Sequence, residues 1–222
     1  MNGVDLKVRR GEVLSVFGPN GAGKTTLIKV LATLLKPTAG KVQVAGLDLR
    51  ESSMEIRRKI GVISHQTFLY DELTAFENLK FYGKMYDVPN LKERIYEVMA
   101  KVGLASRIHH QVRTLSRGMQ QRLAIARAVL HSPSIMLLDE PETGLDEYAH
   151  AMLDEMLSAS NGGERTVVMT THNLERGFEI GDRVAILVEG KIAYEESKLC
   201  LDAVTLRERY YRYTGASRRG DS

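Results

Sequence analysis

Nine consecutive residues, Gly18-Pro19-Asn20-Gly21-Ala22-Gly23-Lys24-Thr25-Thr26, constrain this chain more than any other stretch. They fit the pattern G-x-x-x-x-G-K-[ST] at every position. The apolar run Val13-Leu14-Ser15-Val16-Phe17 precedes them, and Leu27-Ile28-Lys29-Val30-Leu31 follows. That is the strand, loop and helix a phosphate cradle requires. Glycines let consecutive backbone N–H groups turn inward on the phosphates with no Cβ in the way. A helix opening at Lys24 aims the positive end of its dipole, about half a charge, at the same anion. Lys24 can then bridge the β- and γ-phosphates, and the Thr25 hydroxyl can supply a ligand to Mg2+. Average residue frequencies produce such a match by accident in a chain of this length on the order of once in a hundred. The reading is a nucleoside triphosphate site.

Bulk properties narrow the setting. The chain has 222 residues, enough for one large α/β domain or two small ones. A formal net charge of +3 with interspersed signs gives no nucleic-acid footprint. Cys200 is the single cysteine, which excludes an internal disulfide and a zinc site built on several thiolates. A reducing, cytosolic setting is expected. No apolar run approaches the ~20 residues of a spanning helix, so any membrane role is expected to come through a partner.

Strand and helix patterns alternate in the βαβ manner. Residues 12–17 read as a strand, 24–35 as a helix, 41–45 and 60–64 as strands. A helical block follows from Thr74 to His131, with helices near 74–86, 91–102 and 116–131. Residues 134–138 and 166–171 return to strand character, and 184–188 with 191–194 read as a hairpin across Glu189-Gly190. This order predicts a doubly wound, mostly parallel α/β sheet with one helical insertion.

Ile135-Met136-Leu137-Leu138-Asp139-Glu140 reads as a buried parallel strand delivering two carboxylates at its C-terminal end, where such sheets bind ligands. Asp139 is the candidate Mg2+ ligand. Glu140 is the candidate general base that polarises or orients an attacking water. Leu115-Ser116-Arg117-Gly118-Met119-Gln120-Gln121 opens an amphipathic helix, with Ser116 as a natural N-cap and Gly118 allowing close backbone approach. Alone, the segment reads as an ordinary capped helix; its free N–H groups would otherwise form a second anion site in a chain that already has one. It suits a neighbouring molecule.

Taken together, these segments resemble the nucleotide-binding subunit of ABC transporters, from about residue 3 to 197. GPNGAGKTT looks like the Walker A motif, Gln66 like the Q-loop glutamine, LSRGMQQR like the signature, and IMLLDEP like Walker B. Thr143-Gly144-Leu145-Asp146 resembles the D-loop, and His172 sits where the switch histidine would lie. The resemblance implies a P-loop NTPase (RecA-like) core at 1–66 and 132–197. It implies an inserted helical signature subdomain at 67–131, a small, N-terminally shortened antiparallel β part, and a C-terminal helix and tail at 198–222, all in one domain. It also implies a head-to-tail dimer, a homodimer or a paired ATPase subunit, holding two ATP molecules. Walker A residues Gly18 to Thr26 of one subunit would face Ser116 and Gly118 of the other, with Asp146 also at the nucleotide. Glu140, His172 and Gln66 would form the catalytic set, and Thr25, Gln66 and Asp139 the Mg2+ set. A separate membrane permease would be driven from the cytoplasmic face.

Other residues carry weaker expectations. Phe76, Phe81, Tyr82 and Tyr86 read as core packing of the 74–86 helix. The apolar loop Phe68-Leu69-Tyr70-Asp71 is, by the resemblance, a docking surface for the permease. The arginine- and tyrosine-rich stretch from Arg207 reads as a helix fraying at Thr214-Gly215, and Arg219-Gly220-Asp221 as an adhesion tripeptide in letters only. Arg117 and Met119 stand where the family usually has glycine and glutamine. The short stretch before Gly18 lacks the family's adenine-stacking aromatic, which predicts weakened ATP affinity or a start placed too late. The sequence is most similar to the haem-exporter ATPase of cytochrome c maturation, with a drug or lipid exporter ATPase next. A soluble ABC ATPase of iron–sulfur cluster assembly is the reading from another class.

Overall fold

The computed structural model describes residues 1–142, 145–158 and 165–215. Its centre is a six-stranded sheet in the order β4-β5-β6-β1-β7-β8. The strands are β1 (Val13–Phe17), β4 (Ile60–Ser64), β5 (Ile135–Asp139), β6 (Thr166–Thr171), β7 (Arg183–Val188) and β8 (Lys191–Ser197). The first five run parallel, and β8 returns antiparallel beside β7. All five residues of β1 are buried, because a central parallel strand is covered on both faces. Its alternation sorts them. Leu14 and Val16 pack with Leu27, Ile28 and Ile56 on one face. Val13 packs with Met136, Leu138, Ile125 and Leu153 on the other. Fully burying each such side chain contributes roughly 1.5–3 kcal/mol, so sheet and helices stand or fall together.

The first face carries α1 (Lys24–Leu31) and α2 (Ser53–Lys59). The second carries α5 (Arg117–Val129) and α6 (Glu147–Ser158). Between β4 and β5, α3 (Ala75–Met85), α4 (Leu91–Lys101) and α5 build their own core from Leu79, Ile95, Met99, Leu104, Leu123 and Leu130. The start of α3 is fixed by a capping box, with the Thr74 and Glu77 side chains each satisfying the other's backbone N–H. Because α5 gives Leu123 and Ala126 to this core and Ile125 and Ala128 to the sheet, it ties the helical region to the strands. Behind β7 lie α7 (Leu174–Ile180) and α8 (Ala203–Thr214), with Leu206 packed on Val184 and Ile186. No described helix is long and apolar enough to cross a membrane.

Several elements depart from the sequence expectation. The helix expected over 24–35 ends at Leu31. Thr33 takes φ 61°, and the Lys29 carbonyl accepts from both Leu34 and Leu35 N–H. The strand expected at 41–45 shrinks to β2 (Gln43–Val44), paired with β3 (Leu47–Asp48) around Ala45 and Gly46, both at positive φ; two such residues make the favoured hairpin turn. The closing hairpin runs on to Ser197, where the sequence reading stopped at 194. The helical block is broken by single 3-10 turns at Ala105–Arg107 and Val112–Thr114. The helices α2, α6 and α7 lie in stretches the sequence reading left unassigned. The helix before Gly215 ends there as expected, with Gly215 in the left-handed region; Arg219-Gly220-Asp221 lies outside the described residues. The aromatic face of α3 divides. Phe76 and Tyr82 pack on the helical core and Tyr86 stacks on His131, but Phe81 is 40% exposed. It stands edge-on to Tyr70 and Tyr82 instead of entering the core.

Candidate functional site

The parallel strands deliver their C-terminal ends to one edge of the sheet. The loop after β1 holds Gly18 to Gly23, that after β4 holds Gln66, that after β5 holds Glu140, and that after β6 holds His172. Gly18 is forced by space: a Cβ there would lie 2.4 Å from the Leu187 carbonyl oxygen. Gly23 is forced by conformation, at φ 108°, and caps α1 without a side-chain acceptor. The first-turn N–H groups of α1 therefore point at the loop with no side-chain cap. Pro19 and Ala22 close the turn through an Ala22 N–H to Pro19 carbonyl bond of 3.2 Å, Asn20 and Gly21 form its exposed tip, and Thr26 follows Thr25 in the first helical turn.

Lys24 is 6% exposed. A buried ammonium needs partners, and it has three oxygens: the Gly18 carbonyl at 2.7 Å, the Pro19 carbonyl at 3.3 Å and Glu140 Oε1 at 3.3 Å. The other oxygen of Glu140 lies 3.5 Å from His172 Nδ1. Glu140 itself sits at φ 47°, held by its N–H on the Thr170 carbonyl. A non-glycine residue in that region is uncommon, and such outliers gather at functional sites. Buried Asp139 accepts the Thr25 hydroxyl at 3.2 Å and the Thr170 hydroxyl at 2.8 Å on the same Oδ1. Thr25 and Asp139 thus present adjacent hard oxygen donors, the kind Mg2+ takes in small number alongside water and phosphate. Lys24 with Thr25, Asp139 with Glu140, and His172 thus meet in one place from three distant segments.

Gln66 does not join them by contact. It is exposed, and its backbone folds back on Ser64, whose hydroxyl donates to the Gln66 carbonyl at 2.9 Å. Its side chain makes no hydrogen bond to Lys24, Thr25, Asp139 or Glu140 among the described residues. It lines a cleft of about 630 Å³ with His65, Arg117, Gln120 and Gln121. Ser116, Gly118 and Asp146 form a second group. Ser116 caps α5 by accepting the Met119 N–H at 3.3 Å. A Cβ at Gly118 would lie 2.6 Å from Asp146 Oδ2. Asp146 in turn accepts the Ala149 N–H at 2.9 Å, at the start of α6, and lies 3.4 Å from Arg122 Nε. Thr143 and Gly144 lie outside the described residues. Arg117 is exposed and in no ion pair among the described residues.

Sequence reasoning missed Thr170. The available signal was register: Asp139 and Thr170 are direct neighbours on adjacent parallel strands, so a polar residue there meets a buried carboxylate. It also missed Arg122, whose positive charge faces Asp146 from α5.

The family profile described as ABC transporter matches residues 1–143. Among curated proteins, the chain is 36% identical over 194 residues to the ABC transporter ATP-binding protein NatA of Bacillus subtilis (strain 168), covering 86% of this chain and 79% of NatA. It is 35% identical over 217 residues to the daunorubicin/doxorubicin resistance ATP-binding protein DrrA of Streptomyces peucetius, covering 95% of this chain and 66% of DrrA. It is 36% identical over 197 residues to the daunorubicin resistance ATP-binding protein DrrA3 of Streptomyces coeruleorubidus and spans 62% of that protein. Among solved structures, the ATP-binding cassette MJ0796, a post-hydrolysis dimer bound to ADP and Pi, superposes with a TM-score of 0.78 at 31% identity, covering 88% of this chain and 89% of that one. An ATP-binding subunit of an ABC transporter superposes at 0.80 and 30% identity over 96% of this chain and 88% of that one. Fold, phosphate loop and relatives agree: the chain belongs to the ABC transporter family, as an ATP-binding and ATP-hydrolysing nucleotide-binding domain.

Proposed function

We propose that this chain is the ATPase of an exporter that moves a drug-like compound, working in a pair and driving a separate membrane permease from its cytoplasmic face. The observation that carries the ATPase part is the position of Glu140, between the buried Lys24 ammonium and His172. An entering triphosphate draws Lys24 away from Glu140 to its β- and γ-phosphates, cradled by the backbone of Gly18 to Gly23. That frees Glu140 to orient or deprotonate the attacking water, while His172 donates to the γ-phosphate. Thr25 and Asp139, whose oxygens already meet, would hold Mg2+, which would offset the charge on the phosphates, with Gln66 as the further ligand of that set. Ser116, Gly118 and Asp146 face the nucleotide of the second subunit. The single-domain division into a sheet core, a helical subdomain at 67–131 and a C-terminal helix belongs to the same reading.

The export part is supported by relatives named for daunorubicin and doxorubicin resistance and for linearmycin resistance. These names favour a drug exporter over the haem exporter expected from sequence. The test is capture: tagged Glu140→Gln, incubated with native membranes, ATP and Mg2+, should retain a multi-spanning permease. Recovery of cytochrome c maturation proteins would return the substrate to haem. Recovery of soluble scaffold proteins alone would remove transport altogether.

A further inference from the structure

Arg127 sits near the end of α5, 9% exposed, with a role that neither the phosphate loop nor the carboxylates explain. Its guanidinium donates to the Val62 carbonyl of β4 at 2.8 Å. The same group lies between two rings, 5.3 Å from the centroid of Phe68 and 5.3 Å from that of Tyr82. Tyr82, on α3, donates its hydroxyl to the Phe68 carbonyl. Phe68 follows Gln66 by two residues and holds φ 53°, a conformation an aromatic residue keeps only when its surroundings dictate it. The Arg127 Nε is buried without a hydrogen-bond partner. Burial pulls the guanidinium below the ordinary arginine range, and the neighbouring tyrosines oppose that pull. An arginine kept under such conditions for packing alone is poorly chosen, because an apolar side chain of the same length would fill the space without the desolvation.

We propose that Arg127 is a positioning residue that sets where the Gln66 loop stands relative to α5 and β4. The guanidinium touches β4, the loop after it and α3 while belonging to the helix that Ser116 caps. A shift of α5 along its axis therefore moves the Phe68 ring and, two residues away, Gln66. Conversely, displacement of the exposed Phe68–Tyr70 loop is passed to α5. The inference rests on the ATPase reading for its catalytic consequence, but the geometry it asserts can be read without catalysis.

The experiment compares the parent chain with Arg127→Met, Arg127→Lys and Phe68→Leu by steady-state ATP hydrolysis and by amide hydrogen exchange. Arg127→Met should lower kcat about 30-fold with KM for ATP within about threefold, since a misplaced Gln66 loop affects turnover more than the phosphate cradle. Amides of residues 65–71 should exchange about tenfold faster, while those of β5, β6 and residues 18–23 stay unchanged. Arg127→Lys, which keeps a cation against the rings but loses the planar guanidinium, should recover only part of kcat, leaving it above that of Arg127→Met. Phe68→Leu combined with Arg127→Met should be no worse than either alone. Unchanged exchange at 65–71, or faster exchange spread evenly over the sheet, would overturn the proposal and reduce Arg127 to packing. If the parent chain releases no phosphate from ATP, the ATPase reading fails, and the exchange data still decide the role of Arg127.

Discussion

Single residues outside the motifs help hold the site together, and Thr170 is the clearest case. Thr170 shares an oxygen of Asp139 with Thr25, so it helps fix the carboxylate proposed to hold Mg2+. Thr170→Val should raise the Mg2+ concentration needed for half-maximal hydrolysis by about tenfold, as partners that orient a metal ligand do when removed. A Mg2+ titration of the ATPase rate checks this; an unchanged midpoint would mean that Thr25 alone positions Asp139. Lys24→Ala should weaken ATP binding by about 100-fold, measured by calorimetry, because it removes the buried cation that stands at the phosphate loop.

His131 offers a pH prediction. Its Nε2 lies 2.9 Å from the Ile60 carbonyl, its ring stacks on Tyr86, and burial pulls it below the ordinary 6.5. Nearby Arg127 and Arg94 add to that pull. The folded state therefore favours the neutral ring. The stability it contributes is complete above pH 6.5 and is lost as pH falls toward the lowered folded value. Thermal melts between pH 8 and 5 should show a decline that His131→Gln removes.

At the scale of elements, α3 and α5 determine whether the second group of site residues is presented at all. Thr74→Ala removes the capping box and should lower stability by about 1 kcal/mol in a denaturant melt. Leu123→Ala, in the core shared by α3, α4 and α5, should lower it by about 2–5 kcal/mol.

The same elements mark what the sequence could and could not reveal. Long, strongly patterned strands such as 135–139 and 166–171, and the capped helices beginning at Thr74 and Ser116, were legible because local propensity and tertiary burial agree there. The helices α2 and α7 were not, since seven residues bury little apolar surface, with Ile56 and Gly177 their fully buried positions. The motif residues were legible by spacing. Their partners Thr170 and Arg122 depended on strand register and helix packing, which no local pattern encodes. Phe81 was misread because a ring at helical spacing can face a neighbouring loop as well as a core.

At the scale of the whole molecule, the sheet edge gathers Lys24, Thr25, Asp139, Glu140 and His172, while Ser116, Gly118 and Asp146 lie together at the starts of α5 and α6. In the proposed pair, the second group of each copy would complete the nucleotide held by the other. In the proposed cycle, Glu140 performs hydrolysis at a site that Lys24 loads. Phosphate release from ATP by the purified chain and by Glu140→Gln, with bound nucleotide identified after rapid gel filtration, tests it most directly. Expected are Mg2+-dependent release by the parent chain, at least about 100-fold slower release by Glu140→Gln, and intact ATP retained on the variant. Release by Glu140→Gln at the parent rate, or none from either protein, would contradict it.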